Sequence, residues 1–479
     1  MNTEALVLQK FVQLVDPHDC TDAKDALSIL QAVYDTLVVR GPGAFEPALA
    51  VSWDVSDDSR SWRFRLRKGV RFHDGTLCDA AAVASSLHRM ARPDKGYTLG
   101  APGVWHQYLG GARITAAEPF ELHIDLEQPV ADLLDILVQG FIASPSSLAT
   151  LDAGQRHPWI GTGPFEIVTA ETGSVRAQRT AHHFGDPIAN EAVRWQAVSS
   201  SVERLAQLQS GAAHVATSLD PRASKVLEAN GVMRHVTLDP VAIIYLLNAA
   251  QGPLSDGRVR RALSLAVDRK GLIDNVVGGM AEPLDGFVSP LHFGAAEHPA
   301  PHDLRRAREL LGEAGHQEGL TLRVDCPTSL PDEAEALTIA LSKQLKRVGI
   351  TLQVRHHTDR EAYAHMVRHK EIGDMCVFDS SPLSTFRVLY EKIDSRIAGS
   401  WWQGYRNAAV EQFLDTARAE ADAESREALY REIYLLLQED PPWLTLYNPL
   451  RATGLRGSHP EFCLSPEGVL DVRRLPSFA

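Results

Sequence analysis

The stretch Trp62–Gly75 reads WRFRLRKGVRFHDG and begins with strict alternation of large apolar and basic residues. Trp62, Phe64 and Leu66 fall on one face of an extended chain and the intervening arginines fall on the other, a pattern typical of a strand with one buried and one solvated face. The polar residues 73–76 then predict a turn. Asp79 can cap an alanine-rich helix that runs to about Met90.

Both sides of this stretch show alternating strand and helix patterns. Near the start, the sequence predicts a strand over 6–14, a turn at Asp16-Pro17-His18 and a helix over 25–38. A long helix is predicted over 259–277. From Leu320 onward, strands at 320–324, 351–354 and 375–378 alternate with helices at 332–348 and 360–371. The order predicts an α/β protein with two largely separate sheets.

Composition excludes several classes of protein. The chain has 479 residues, 44% of them hydrophobic, so at least two lobes are expected. With 48 Lys and Arg against 61 Asp and Glu, the formal net charge is −13, which argues against a nucleic-acid partner. The longest apolar runs are far shorter than the roughly 20 residues of a membrane span, so no membrane insertion is expected. The five cysteines are widely spaced and indicate neither a zinc site nor a disulfide framework.

Several segments, in this order along nearly the whole chain, resemble the extracytoplasmic solute-binding proteins of family 5, which serve peptide and nickel transporters. The segments are 16–18 with 33–38, 47–53, 62–75, 161–165, 205–211, 258–263 with 267–269, 307–311 with 313–315, and 344–346 with 349–350. The resemblance implies the two-lobed fold of the periplasmic binding proteins, type II, in the large peptide-binder form with an extra subdomain. The ligand would lie in the cleft between the lobes.

The resemblance also implies a domain organisation and a role. One lobe would comprise 1–40, 160–240 and 449–479, the extra subdomain 41–159, and the second lobe 241–448. The chain would be the substrate-binding component of an ABC importer. It would be a non-enzymatic monomer that captures a small peptide-like, amine-bearing solute by lobe closure and delivers it to the membrane permease. No cofactor is implied. The expected location is periplasmic or otherwise extracytoplasmic, although residues 1–8 lack the pattern of a secretory signal, which was either removed or never present.

The apolar run Met375–Phe378 is followed by Asp379, Ser380 and Ser381. An acid at this point lies at the carboxyl end of a strand, where open α/β sheets bind ligands. In peptide-binding relatives an aspartate here holds the amino group of the ligand, although those relatives have one more residue before the proline. The alternative is an Asx turn, in which Asp379 caps its own loop through Ser381.

A second candidate segment is the aromatic run Trp401-Trp402-Gln403-Gly404-Tyr405, which has little helical or strand periodicity. Aromatic rings in loops offer a large contact area at low entropic cost, which favours recognition. In relatives a similar loop reaches the cleft. Each tryptophan could instead anchor the core of the second lobe.

Two further residues are weaker candidates for ligand binding. Cys20 follows the turn at 16–18, where relatives offer a side chain to the ligand, but a buried thiol also packs as a small hydrophobe. Tyr245 lies on a predicted strand, and alternation leaves the direction of its ring open.

A nickel-chelate receptor is the alternative within the family. His365 and His369 have the spacing of a helical chelate, but no third ligand follows at fixed spacing, and solvated histidines on an exposed face are the favoured explanation of the pair. The residues used by nickel-binding members align near Ser395 and Gly140. A hydrolase on the same fold is the alternative from another class, although the sequence contains none of the common catalytic motifs.

Overall fold

The structure is a computed structural model that describes residues 3–41, 43–97, 101–154, 159–284, 286–295, 299, 301–328, 331–380 and 382–478. The chain forms two compact units. Unit 1 comprises Met1–Thr98, Pro102–Thr237 and Arg451–Ala479, and unit 2 comprises Leu99–Ala101 and Leu238–Leu450. Each unit contains strands and helices of an α/β protein, but the two predicted sheets share one long strand, Trp443–Arg456, which pairs in both units.

The first part of the chain supplies most of unit 1. Its strands are β1 (Glu4–Gln9), β2 (Val38–Arg40), β3 (Phe45–Pro47), β4 (Ala50–Val55), β5 (Ser61–Leu66), β6 (Gly96–Tyr97), β7 (Ala101–Pro102), β8 (Arg113–Glu118), β9 (Glu121–Asp125), β10 (Phe165–Glu171), β11 (Ser174–Arg179), β12 (Ala192–Ala197), β13 (Val215–Leu219) and β14 (Val232–Leu238). Its helices are α1 (Lys24–Val33), α2 (Ala80–Met90), α3 (Val104–Leu109), α4 (Leu133–Leu137), α5 (Pro145–Asp152) and α6 (Ser201–Gln209).

The later part of the chain supplies most of unit 2. Its strands are β15 (Ala242–Leu247), β16 (Ala281–Pro283), β17 (Leu320–Pro327), β18 (Ile350–His357), β19 (Met375–Ser380) and β20 (Trp443–Arg456). Its helices are α7 (Gly257–Ala266), α8 (Arg269–Leu272), α9 (Leu304–Glu313), α10 (Ala334–Lys346), α11 (Arg360–Arg368), α12 (Ala408–Ala419) and α13 (Ala423–Glu439), with π-helical turns at Ile273–Val277 and Arg387–Glu391.

The main sheet of unit 1 has the strand order β10-β11-β12-β1-β13, followed by the last part of β20. β1 runs parallel to both β12 and β13, so the carboxyl ends of these three strands share one edge. The core beneath the sheet includes Phe165, Trp195 and Leu455, each 0% exposed.

A separate antiparallel sheet of unit 1 has the order β4-β5-β9-β8, and β5 contains the alternating residues 62–66. Trp62, Phe64 and Leu66 are buried, while Arg63 and Arg65 are exposed, which confirms the predicted one-sided strand. Asp79 caps α2 by accepting a hydrogen bond from the backbone N–H of Ala82 at 3.0 Å, also as predicted.

The sheet of unit 2 has the order β20-β15-β19-β17-β18, with β16 also paired to β20. β17 is parallel to β18 and β19, and β15 is antiparallel to β19. β15 is buried throughout its length, and its side chains join α7, α10 and β17 in one continuous core.

Two predicted helices are shorter than expected. The helix predicted over 25–38 ends at Val33, because Val38–Arg40 pair with β3 instead. The helix predicted over 259–277 breaks after Ala266, where Asp268 accepts a hydrogen bond from the backbone N–H of Gly271 and caps a new helix. Strand pairing shortens the first helix and a capping aspartate divides the second. Hydrophobic periodicity carries no information about either effect.

Candidate functional site

The carboxyl end of β19 carries the candidate acid. β19 lies between β15 and β17, and Asp379 stands opposite Ile243 in the antiparallel register with β15. Its side chain is half-buried, whereas Ser380 is 5% exposed and accepts a hydrogen bond from Lys392 Nζ at 3.3 Å. Ser381 lies outside the described residues. Asp379 thus lies at the carboxyl end of a strand within an α/β sheet, a position typical of ligand sites in such sheets.

The segment 399–405, called the aromatic loop below, packs beside this strand end. The ring centroids of Phe378 and Trp401 are 4.4 Å apart, with the planes inclined at 43°. Trp402 is half-buried and donates a hydrogen bond from its indole N–H to the carbonyl of Tyr405 at 2.7 Å. Phe378 directly precedes Asp379, so the contact brings together two segments that the sequence analysis selected separately.

Tight backbone contacts fix the aromatic loop. Gly404 adopts φ +90°, and a Cβ at this position would lie 2.3–2.5 Å from atoms of Ala250. The carbonyl of Gln403 accepts a hydrogen bond from the backbone N–H of Ala249 at 2.8 Å. The Gln403 side chain donates to the carbonyl of Val367 at 2.8 Å. Such a loop presents its rings in one arrangement and loses little entropy on binding.

Arg260 of α7 supports the far end of the aromatic loop. Its guanidinium lies 5.6 Å from the centroid of the Tyr405 ring and is paired with the carboxylate of Asp440. It also donates to three backbone carbonyls, those of Pro441, Leu254 and Ser255. With 5% of Arg260 exposed, this arginine of the 258–263 motif serves as an internal brace.

A cluster of buried charges lies just after β19 and was not found from the sequence. Arg387, Glu391, Lys392 and Asp394 are all at most 4% exposed. Arg387 Nε is 3.3 Å from Glu391 Oε2 within the π-helical turn. Charges persist at such burial only when they are paired, so this cluster forms a polar support next to the candidate acid. The only sequence signal was the mixed run of charges at 387–396, which reads equally as a solvated helix face.

The two weaker candidates lie in protein interiors. Cys20 is 1% exposed, and its thiol donates to Gln139 Oε1 at 2.9 Å. Tyr245 is 0% exposed within the core of unit 2, and its hydroxyl is 2.9 Å from Thr338 Oγ1. Local packing accounts for both positions.

The motif Asp16-Pro17-His18 forms part of a charged network inside unit 1. Arg89 donates to both oxygens of Asp16, at 2.8 and 2.6 Å, and to His18 Nδ1 at 2.8 Å. Burial, followed by the charge of Arg89, lowers the pKa of His18 to about 3. The imidazole is therefore neutral at pH 7, and its Nε2–H donates to the carbonyl of Phe141 at 3.1 Å. The motif braces the turn.

Unit 1 has an exposed aromatic at the carboxyl edge of β1 that the sequence analysis missed. Phe11 is 53% exposed, yet its backbone N–H donates to Asp25 at 2.9 Å. At the same edge Arg204, 1% exposed, donates to the carbonyls of residues 198 and 199 after β12 and of residues 217 and 218 in β13. The strand ends are thus tied together by Arg204, and the exposed ring of Phe11 beside them is a candidate ligand contact.

The described residues contain neither a cluster of metal-binding side chains nor a helix that could span a membrane. No group of three or more His, Cys, Asp or Glu side chains suited to a metal ion occurs among the residues that the structure describes. His365 and His369 stack with ring centroids 6.1 Å apart, and the side chain of His365 is 45% exposed. Within the same described ranges, no helix has the length and hydropathy to span a membrane.

Comparison with known proteins gives a consistent result. The glutathione-binding protein GsiB of Escherichia coli K12 is 27% identical over 452 residues, which cover 90% of this chain and 86% of the relative. The fold matches DppA of Helicobacter pylori in complex with the peptide STSA, with a TM-score of 0.81, 22% identity and 98% and 97% of the two chains covered. It also matches NikZ of Campylobacter jejuni in complex with Ni(L-His), with a TM-score of 0.81, 20% identity and 99% of each chain covered.

These matches confirm the predicted two-lobed periplasmic-binding-protein fold. The model of the bacterial extracellular solute-binding proteins, family 5 Middle, matches residues 44–385. Family and fold are those of proteins that bind solutes outside the cytoplasm without transforming them. The chain belongs to the bacterial extracellular solute-binding proteins of family 5.

Proposed function

We propose that the protein captures a small peptide-like solute with a free amino group and delivers it to the permease of an ABC importer. The observation that carries the proposal is the placement of Asp379 at the end of β19, next to the Phe378–Trp401 contact. An ammonium ion leaving water needs a carboxylate partner, and the neighbouring rings provide apolar contact area. GsiB, which is named as a glutathione-binding protein, supports a peptide-like ligand.

Ligand contacts are assigned to Asp379, Ser380, Ser381 and the aromatic residues Trp401, Trp402 and Tyr405. Trp401 and Tyr405 are 9% and 3% exposed, so they contribute edges of their rings and support for Trp402 more than open faces. Cys20 and Tyr245 are the weaker candidates for ligand contact, because their polar atoms already make hydrogen bonds inside the units. We further propose that the protein acts as a monomer.

Calorimetric titration with glutathione and with the dipeptide Met-Leu tests the ligand class. We expect the protein to bind at least one of the two peptides, and we expect acetylation of the amino group of that peptide to lower the affinity. If neither peptide bound, or if the acetylated peptide bound as tightly as the free one, an amine-directed site would be contradicted. Native mass spectrometry after purification would identify a ligand that the protein already carries and report its oligomeric state.

The mechanism that the family implies is closure of the two lobes around the solute. Small-angle scattering should then show a smaller radius of gyration with saturating ligand, and the melting temperature should rise because the ligand binds only the folded protein. An unchanged radius with a ligand proven to bind tightly would argue against closure.

A nickel-chelate receptor is the second candidate, since NikZ shares the fold and is known in complex with Ni(L-His). Titration with Ni(L-His), with and without EDTA, separates the candidates, because withdrawing the metal abolishes binding only at a chelate site. A hydrolase is tested by incubating the protein with peptides and measuring product masses. We expect intact peptides.

A further inference from the structure

Lys370 occupies a backbone position where glycine is usual. α11 ends at Arg368, and Lys370 follows with φ +64°. Its backbone N–H donates to the carbonyl of Val367 at 3.1 Å, and that of Glu371 donates to the carbonyl of Met366 at 3.0 Å. These two bonds define a Schellman motif, whose left-handed residue is most often glycine because a side chain strains this conformation. A favourable contact of the Lys370 side chain is therefore expected to offset the cost of this backbone conformation.

The side chain of Lys370 reaches the start of the aromatic loop. Its ammonium donates to the carbonyl of Gly399 and, at 2.9 Å, to that of Ser400. The side chain is half-buried, and its polar contacts in the described part of the chain are these two carbonyls. Both acceptors of the Lys370 ammonium are therefore carbonyls of the two residues that directly precede Trp401.

The loop at the other end of this contact is itself strained. Ala398 has φ +48°, another left-handed conformation without glycine. A Cβ on Gly399 would lie 2.0 Å from the carbonyl oxygen of Glu391, so the backbones are in close contact here. The carbonyl of Gly399 also accepts from the N–H of Trp402 at 3.2 Å. Strained backbone persists where the surroundings hold it, and it concentrates at binding sites.

We propose that Lys370 is a positioning residue that holds the aromatic loop in the conformation that contacts the ligand. The inference rests on the proposed role of that loop in binding. Together with the Gln403 side chain, which is anchored on Val367, Lys370 attaches the loop to the carboxyl end of α11 at two points. α11 is in turn fixed to the sheet, because the Tyr363 hydroxyl donates to the carbonyl of Val377 at 2.6 Å.

The charge state of Lys370 is set by its surroundings. Burial, and then the nearby charge of Arg368, lower the pKa of Lys370 to about 8. Three acidic residues lie in the neighbouring segments. Glu371 directly follows Lys370 in the chain, and the backbone carbonyls of Glu391 and Asp394 contact residues 397–399, just before the aromatic rings of the loop. At pH 7 the ammonium form predominates and makes charge-assisted hydrogen bonds to both carbonyls.

Two variants and a control separate positioning from fold stability. Lys370→Gly removes the side chain and relieves the backbone strain, and Lys370→Met removes only the ammonium. Lys343→Met removes the charge of an exposed lysine on α10 of the same unit. At pH 7 we expect amide hydrogen exchange in 399–405 to become at least tenfold faster in both Lys370 variants and to stay unchanged in the control. The melting temperature of Lys370→Gly should stay within a few degrees of that of the parent protein.

Unchanged exchange in 399–405 would overturn the proposal. So would a large fall in the melting temperature of Lys370→Gly with faster exchange throughout unit 2, since Lys370 would then stabilise the fold as a whole. Neither measurement requires a ligand. Calorimetry with glutathione and Met-Leu adds the functional test: affinity for a probe that the parent binds should fall at least tenfold in Lys370→Gly. If the parent binds neither probe, the peptide proposal fails, while the exchange experiment still decides the role of Lys370.

Discussion

Replacing Arg260 by methionine tests whether α7 supports the aromatic loop. Methionine keeps an unbranched apolar stem of similar length but loses every donor, so the carbonyls of Pro441, Leu254 and Ser255 and the carboxylate of Asp440 lose their partner. A typical hydrogen bond contributes about 1 kcal/mol, and breaking a buried ion pair costs about 3–5 kcal/mol. Because the Asp440 side chain is 32% exposed and can turn to water, the lower end applies. We expect a loss of about 3–4 kcal/mol in the free energy of unfolding.

For a domain of about 200 residues, roughly 2–4 °C of melting temperature corresponds to 1 kcal/mol, so Arg260→Met should melt about 10 °C lower. The matched control is Arg258→Met, two residues away in the same motif. The side chain of Arg258 is 51% exposed and pairs with Asp256, so its loss should cost under about 1 kcal/mol. Differential scanning calorimetry measures both. Equal effects of the two variants, or less than about 1 kcal/mol for Arg260→Met, would refute the role of Arg260 as an internal brace.

Three further predictions concern unit 2. Gly404→Ala should cost about 2–4 kcal/mol in urea unfolding, because its Cβ would overlap Ala250 and the backbone is left-handed; a cost under about 0.5 kcal/mol would contradict the close contact. Asp379→Asn should weaken binding of an amine-bearing ligand by about 2–5 kcal/mol in calorimetry with little change in stability; the opposite result would indicate a loop cap. For Lys370, the lowered pKa means that the unfolded chain binds more protons between pH 8 and its ordinary pKa. The free energy of unfolding of the parent should therefore increase relative to that of Lys370→Gly as pH rises from 8 to 10. An absent or reversed trend would contradict the burial of the ammonium.

Much of the fold could be predicted from short-range patterns. The alternation at 62–66 fixed which face of β5 is buried, and the aspartates at 79 and 268 mark the beginnings of helices because their side chains satisfy free backbone N–H groups. The break at 266–268 was nevertheless missed, since apolar periodicity continues across it. The capping aspartate marks this boundary in the structure, whereas hydrophobic periodicity gives no sign of it.

The candidate site was only partly predictable, because its geometry depends on contacts between distant residues. Asp379 and the aromatic loop were selected from local sequence, but their proximity depends on the packing of Phe378 against Trp401. Nothing in the sequence near Lys370 indicates that its ammonium reaches Gly399. The burial of Arg387 and Glu391 was equally hidden, since a charged run on a helix usually faces water.

The course of β20 has a consequence for how the protein is made. Residues 443–447 of this strand pair with β15 in unit 2, and residues 452–455 pair with β13 in unit 1. The core of unit 1 also includes Phe462, Val472 and Phe478. During translation, unit 2 can therefore acquire its last strand before unit 1 does, although unit 1 is begun first. The core of unit 1 therefore stays incomplete until the carboxyl terminus emerges, and over that interval the amino-terminal segment exposes apolar surface that is prone to aggregation.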